Sequence, residues 1–410
     1  MSVGPGHWND GSLPLERLRP DTLAVRGGHV RTPFAETSEA LFLTQGYVYD
    51  RAADAEAAFA GESDRFVYSR YGNPTVATFE ERLRLLEGAQ ACYATATGMS
   101  AVFTSLAALV KSGDRIVAAR ALFGSTLVIF DEIFAKWGVR TDYVDAHVPE
   151  QWAAALATPA TVVFFETPSN PMQDLVDVAA VSALAHAAGA VVVIDNVFAT
   201  PVLQKPLTLG ADVVVYSATK HIDGQGRVLG GAILGSRDYI TGPVQLFLRN
   251  TGPSLSPFNA WVLLKGLETM SLRVRAQTAA ALQLATWLEA QPQIAQVRYP
   301  FLASHPQHDL ARAQMSGGGT VVSAIPTAAR PAGPSLRCVV VAGWVTIDFA
   351  SPRLFEMSMT RSASRNSNVV CFATAGVVPS GTARSKVTTV PPPDICAVAS
   401  ACCGCETRNG

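Results

Sequence analysis

Four short apolar runs, Ile116–Ala119, Val162–Phe165, Val191–Ile194 and Val213–Tyr216, restrict the folds open to this chain. They are rich in Val, Ile and Phe and lack the alternation of a sheet with one wet face. Each therefore reads as a strand covered on both sides. Helical signals separate them. Val178–Ala188, closed by Gly189, lies between the second and third run. Val76–Leu86 sets Phe79, Leu83 and Leu86 at helical spacing, and Ser100–Lys111 reads as a small-residue helix ending near Gly113. This rhythm predicts an α/β domain with a mainly parallel sheet. Residues 256–290 predict a further helix, with Pro257 in its first turn and Trp261, Leu264, Leu267 and Leu272 as its apolar stripe.

Composition narrows the function. At 410 residues the chain has room for two to three domains, and 49% apolar against 16% charged residues excludes wholesale disorder. A net charge of −1 argues against nucleic-acid binding by bulk charge. No apolar run approaches the ~18 residues of a membrane span, and the start of the chain lacks a secretory signal core. A soluble cytoplasmic protein is expected, with residues 1–20 as a polar arm. Of seven cysteines only Cys92 precedes Cys338, which does not describe a disulfide scaffold.

Chemistry gathers around Lys220. It follows the run ending at Tyr216, within Ser217-Ala218-Thr219-Lys220-His221, and a Gly-rich stretch from Gly224 to Gly235 comes next. A lysine there can form a Schiff base; taken alone, it is as simply a strand-end side chain snorkelling to solvent. Asp195 ends the third run, and ligands of parallel sheets bind at such carboxyl ends. A lysine for an aldehyde and an acid for a pyridinium nitrogen are what pyridoxal phosphate requires, although Asp195 also suits a turn. Ala96–Ser100 precedes a helix, so the backbone N–H groups around Gly98 suit an anion, with Ser217 and Thr219 as hydroxyl donors; an ordinary helix start looks the same. Gly224 and Gly226 lack the context of a dinucleotide fingerprint. His305 and His308 have metal-pair spacing without completing ligands, so no metal is expected.

Several stretches together resemble the Cys/Met-metabolism pyridoxal-phosphate enzymes. They are Tyr68–Thr75, Gly98-Met99, Glu166–Pro171, Asp195-Asn196 and Ser217–His221, in family order, within a likeness covering about residues 22–322. Glu36–Phe42, Leu122–Ser125 and His221–Arg227 resemble the sulfhydrylase branch more than the synthases or lyases. The resemblance implies fold type I of the pyridoxal-phosphate-dependent transferases, an α/β fold with a mainly parallel large domain and a smaller C-terminal α+β domain. The corresponding division is 1–65 (arm and segment), 66–255 (cofactor domain) and 256–410. It implies that Lys220 bonds pyridoxal 5′-phosphate and acts as catalytic base, that Asp195 pairs with the ring nitrogen, and that Gly98, Met99, Ser217 and Thr219 hold the phosphate. Phe123 stands where an aromatic stacks on the ring, and Asn170 near the 3′ oxygen. Tyr68 and Arg70 reach the phosphate of a neighbouring subunit, so the active unit is a homodimer at least and a tetramer by family habit. The implied reaction is γ-replacement on O-succinylhomoserine by sulfide, giving homocysteine for methionine biosynthesis. Cystathionine γ-synthase or γ-lyase activity is the alternative.

Residues 323–410 depart from the family pattern. They carry eight Lys or Arg against four Asp or Glu, six cysteines, and Pro391-Pro392-Pro393. No His follows His308, and no motif assigns Arg353, Arg361, Arg365 or Arg384 as the clamp for a substrate carboxylate. A frame-shifted or replaced tail is the expectation, with a true but diverged domain as the competing reading and a cofactor-binding but catalytically impaired relic as the extreme consequence.

Overall fold

The computed structural model describes Leu15, residues 18–327 and two short strands at 339–342 and 370–372. The N-terminal segment is mostly irregular, interrupted by α1 (Pro20–Arg26) and α2 (Ala52–Ala60). α3 (Pro74–Glu87) starts where the Asn73 side chain accepts from the Thr75 N–H at 2.9 Å, and stops at Gly88, whose φ of +88° few other residues tolerate. Its buried face includes Phe79, Leu83 and Leu86, as the periodicity predicts.

A seven-stranded sheet forms the centre. Its strands are β1 (Ala91–Thr95), β2 (Arg115–Ala119), β3 (Arg140–Val144), β4 (Val162–Glu166), β5 (Val191–Asp195), β6 (Val213–Ser217) and β7 (Gly231–Gly235). The spatial order is β1-β7-β6-β5-β4-β2-β3. Between them run α4 (Gly98–Ala107), α5 (Gly124–Val128), α6 (Pro149–Ala155), α7 (Val178–Ala187) and α8 (Thr200–Leu203). Strands β2 to β6 pair in parallel, whereas β7 is antiparallel to both β6 and β1. It follows that β1 points the same way as β6, and six carboxyl ends open on one edge of the sheet.

The four apolar runs are β2, β4, β5 and β6, and β4 is buried at every position. Each fully buried Val, Ile or Phe there contributes about 1.5–3 kcal/mol. Strands β1, β3 and β7 lay outside the expectation. Gly231–Gly235 is also buried throughout, but its flanking glycines give it the look of a loop. α4 ends at Ala107, short of the expected Lys111, because the N–H groups of Leu109 and Val110 both turn back to the Leu106 carbonyl and Asp114 accepts from the Lys111 N–H at 2.8 Å.

After α9 (Arg237–Tyr239) and α10 (Gln245–Thr251) comes α11 (Pro257–Glu289), 33 residues long. Its first half buries Leu263, Leu264, Leu267, Met270 and Val274 against α3, β6 and β7; its second half packs Leu284, Ala285 and Leu288 on a separate small sheet. The expected stripe needs correction. Leu272 is 71% exposed and Trp261 only half-buried, because the face turned inward passes through Met270 and Val274. The small sheet has the order β11-β10-β9-β8, from β8 (Ile294–Arg298), β9 (Val321–Pro326), β10 (Val339–Ala342) and β11 (Val370–Phe372), with α12 (His308–Gln314) between β8 and β9. Two expected tail strands, at 339–341 and 369–372, thus coincide with β10 and β11; the tail's arginines, its triple proline and five of its six cysteines, all but Cys371 of β11, are outside the described residues. Among the described residues no helix is long and apolar enough to cross a membrane.

Candidate active site

The shared edge of carboxyl ends gathers most of the expected residues. Gly98 follows β1, Phe123 follows β2, Asn170 follows β4, Asp195 ends β5, and Ser217, Thr219 and Lys220 lie at or just beyond the end of β6. Sequence separations of more than a hundred residues collapse here because parallel strands return their ends to the same side.

At the β1–β6 side, bulk has been removed. A Cβ on Gly98 would meet Ser217 Cβ at 2.5 Å and Oγ at 2.6 Å, so only glycine lets α4 begin against the end of β6. Gly231 stands between Thr95 and Ser217 in the sheet register, and a side chain there would strike the Thr97 carbonyl. Thr97 caps α4, its Oγ1 accepting from the Ser100 N–H at 3.0 Å. First-turn N–H groups have no partner inside a helix, and those of Gly98 and Met99 find none elsewhere among the described residues. Thr219 has its hydroxyl on Gly230, accepting from that N–H at 3.1 Å and donating weakly to its carbonyl at 3.3 Å.

At the β4–β5 side, charge has been buried. Asp195 accepts from the Val197 N–H at 3.0 Å and has no ion-pair partner among the described residues. Burial pushes its carboxyl up to about 6, against the opposing pull of that N–H. Glu166, in register with Asp195 on β4, is pushed to about 8, first by burial and then by the neighbouring Asp195 charge. Its Oε1 accepts from the Phe123 N–H at 2.7 Å.

Lys220 is exposed at the end of its loop, with no ion pair or side-chain hydrogen bond among the described residues. The loop itself is fixed from beneath. Buried Asp223 accepts from the N–H groups of Gln225 (3.2 Å) and Arg227 (2.8 Å) and from Arg227 Nε (2.9 Å). Arg273 of α11 donates to the carbonyls of His221 at 2.9 Å and Gly266 at 2.7 Å. Gly224 (φ +66°) has no room for a side chain because Arg273 fills the space. Gly224 therefore serves this turn and not a dinucleotide. His221 is engaged elsewhere: its Nε2 lies 2.6 Å from Thr320 Oγ1, and burial pushes its imidazole down to about 4.

Tyr68 and Arg70 are not brought to this edge by the chain that bears them. Tyr68 pairs with Gly46 in a single bridge and is 39% exposed. Arg70 lies over the rings of Tyr68 and Tyr71 and donates to the Arg249 carbonyl. His305, one of the two spaced histidines, is buried, and its Nδ1 accepts from the Gln307 N–H at 3.2 Å. The sequence reading gave no role to Glu166, Thr97, Gly231 or Arg273. A carboxylate closing an unbroken apolar run was the one available sign for Glu166; the other three depend on contacts between distant segments.

The donor set fits pyridoxal phosphate. Among the described residues there is a helix start with free N–H groups beside a hydroxyl, a space that a Gly98 side chain would fill, a desolvated carboxylate with no cation partner, and an unpaired lysine just beyond the next strand.

A family model described as Cys/Met metabolism PLP-dependent enzyme matches residues 21–331. An O-succinylhomoserine sulfhydrylase of Mycobacterium tuberculosis is 65% identical over 320 residues, covering 77% of this chain and 79% of that protein. One of Pseudomonas aeruginosa is 53% identical over 318 residues, with 77% and 79% covered. The crystal structure of apo CalE6, a methionine gamma lyase from Micromonospora echinospora, superposes with a TM-score of 0.69 at 38% identity, covering 75% of this chain and 81% of that one.

Proposed function

This chain belongs to the Cys/Met metabolism PLP-dependent enzyme family, and from that premise we propose that it converts O-succinylhomoserine and sulfide to homocysteine and succinate. The fold is the α/β fold type I of those enzymes, and the cofactor is pyridoxal phosphate. The observation that carries the reading is the single strand edge at which the Gly98–Ser217 cradle, Asp195 and Lys220 converge, in a chain so similar to curated sulfhydrylases.

When bound, the cofactor supplies an aldehyde for amines and a protonated ring that accepts electrons from the substrate α-carbon. The N–H groups of Gly98 and Met99 would hold its phosphate at the positive end of α4, with the hydroxyls of Ser217 and Thr219, the latter exchanging its weak bond to the Gly230 carbonyl for it. Asp195 would keep a negative charge for the ring nitrogen, with Asn170 serving the 3′ oxygen and Phe123 the ring face. Lys220 Nζ would hold the aldehyde and, as a free amine, would be the base for the proton on the substrate Cα. Phe123 has no hydroxyl to protonate a leaving group. Succinate needs none, since a carboxylate departs as a stable anion, and this favours an acyl ester as substrate.

Tyr68 and Arg70 serve the cofactor phosphate of a neighbouring copy, which makes a homodimer the smallest complete unit and a dimer of dimers the working form. The exposure of Tyr68, and the contacts of Arg70 with Tyr68, Tyr71 and Arg249 in place of the partners above, support this assignment. The soluble enzyme works in the cytoplasm.

The test is equimolar homocysteine and succinate from purified full-length protein given pyridoxal phosphate, O-succinylhomoserine and sulfide, and loss of both products in Lys220→Ala. Efficient cystathionine formation from cysteine with no reaction of sulfide would replace this reading with a synthase. No product from either acceptor, with the cofactor's absorption band intact, would mean an impaired relic.

A further inference from the structure

One buried carboxyl at this edge has no part in the reaction just described. Glu166 is 6% exposed and closes β4 in parallel register with Asp195 on β5, so the two side chains leave the sheet on the same face, one strand spacing apart. Its Oε1 takes the Phe123 N–H at 2.7 Å, at the point where the turn after β2 becomes α5. One side chain therefore anchors the turn that carries Phe123 and stands beside the strand that carries Asp195. No Lys, Arg or His pairs with it among the described residues.

Two adjacent carboxyls in a buried site do not both ionise readily. Glu166 is the more deeply buried of the two and Asp195 lies nearer the open edge. We propose that Glu166 is a positioning residue for the cofactor: as a neutral acid it holds the Phe123 turn over the ring site through the Phe123 N–H, and by keeping the pair's proton it leaves the negative charge on Asp195. Burial pushing Glu166 to about 8 and Asp195 only to about 6 agrees with that division of the proton.

This inference rests on the cofactor site proposed above, and its test reads the cofactor itself instead of product. Glu166→Gln keeps a neutral acceptor for the Phe123 N–H; Glu166→Met keeps the volume and loses the acceptor. Each full-length variant is titrated with pyridoxal phosphate, following absorbance and the visible circular dichroism that reports how the ring is held. The Gln variant should match the wild type in affinity to within ~3-fold and retain its dichroism. The Met variant should bind about tenfold more weakly, the worth of one positioned hydrogen bond, with a diminished visible dichroic band and an unchanged far-ultraviolet spectrum. If Glu166→Met is insoluble, Glu166→Ala takes its place with the same expectation. A Met or Ala variant indistinguishable from wild type overturns the proposal, and so does a Gln variant as impaired as Met, which would mean that the ionised form is needed. A wild type without a Lys220-dependent band would instead refute the site assignment, a failure visible before any Glu166 variant is compared.

Discussion

The two sides of the strand edge are built by opposite means. At β1 and β6 the chain removes side chains: Gly98 and Gly231 let helix, strand and strand close to contact distance, and the cradle they form with Thr97 and Ser217 uses no ionisable side chain. At β4 and β5 it does the reverse, burying two carboxyls that have no cation partner among the described residues. The first is a steric and dipolar device, indifferent to pH in the physiological range. The second depends on where protons sit. A cofactor with a permanently anionic tail and a titratable ring nitrogen asks for this division.

The steric side should break hardest. In Gly98→Ala the new Cβ must displace Ser217, whose Cβ, Oγ and Cα all lie within 2.8 Å of it. Overpacking of that kind costs about 1–3 kcal/mol and moves the N–H groups off the phosphate. A loss of cofactor affinity on the order of 100-fold is expected, equal at pH 6 and pH 8. Unchanged affinity in an equilibrium titration would dissolve the cradle side of the comparison.

Asp195→Asn attacks the other side. An amide fits the same space but cannot hold the ring nitrogen protonated, so turnover should fall by on the order of 10²–10³ while affinity falls less. The pH dependence follows from the raised carboxyl. Asp195 of the cofactor-free protein takes up a proton as pH falls through about 6, so cofactor binding should weaken below that pH and the Asn variant should lose the dependence. Equal acid sensitivity in both proteins would assign the effect to another group. Ser217→Ala should matter less than either, costing ~3- to 10-fold in affinity for one neutral donor; no loss at all would leave the phosphate to the backbone.

The same contrast governs what the sequence made legible. β2, β4, β5 and β6 stand out because strands covered on both faces are apolar at every position, and Lys220 and Asp195 are conspicuous as charged residues at their ends. The cradle is harder to see. Gly98 reads as an ordinary helix start until Ser217, 119 residues later, is set against it by β7, and β7 hides behind its own glycines. Glu166 shows as a charge at a strand end, but its meaning lies in strand order, which puts it beside Asp195, and in a turn that brings the Phe123 N–H to it. Tyr68 and Arg70 carry no local pattern at all. Their assignment came from resemblance, since residues completing a neighbour's site leave no periodicity in their own chain.

The smallest effect on the site, and the sharpest separation of site from scaffold, should come from Glu87. It is fully buried on α3, where Tyr216 donates its hydroxyl to Oε2 at 2.5 Å and Asn196 in turn donates to that Tyr216 oxygen at 2.7 Å. Tyr216 and Asn196 are the immediate neighbours of Ser217 and Asp195, so this network backs both sides of the edge from the opposite face of the sheet. Burial pushes Glu87 up to about 8 from an ordinary value of 4.5. An acid whose folded value is raised contributes stability that is fully present below the unfolded value and is lost as pH climbs to the folded one. The wild type should therefore lose stability between about pH 4.5 and 8 on this account. Glu87→Gln, which still accepts from Tyr216, should lose less. The expected result is a variant whose Tm gains steadily on the wild type from pH 5 to pH 8, with cofactor affinity unchanged throughout. Parallel Tm curves would show that Glu87 is ionised in the fold, and a changed affinity would show that the back of the sheet tunes the site as well as supporting it.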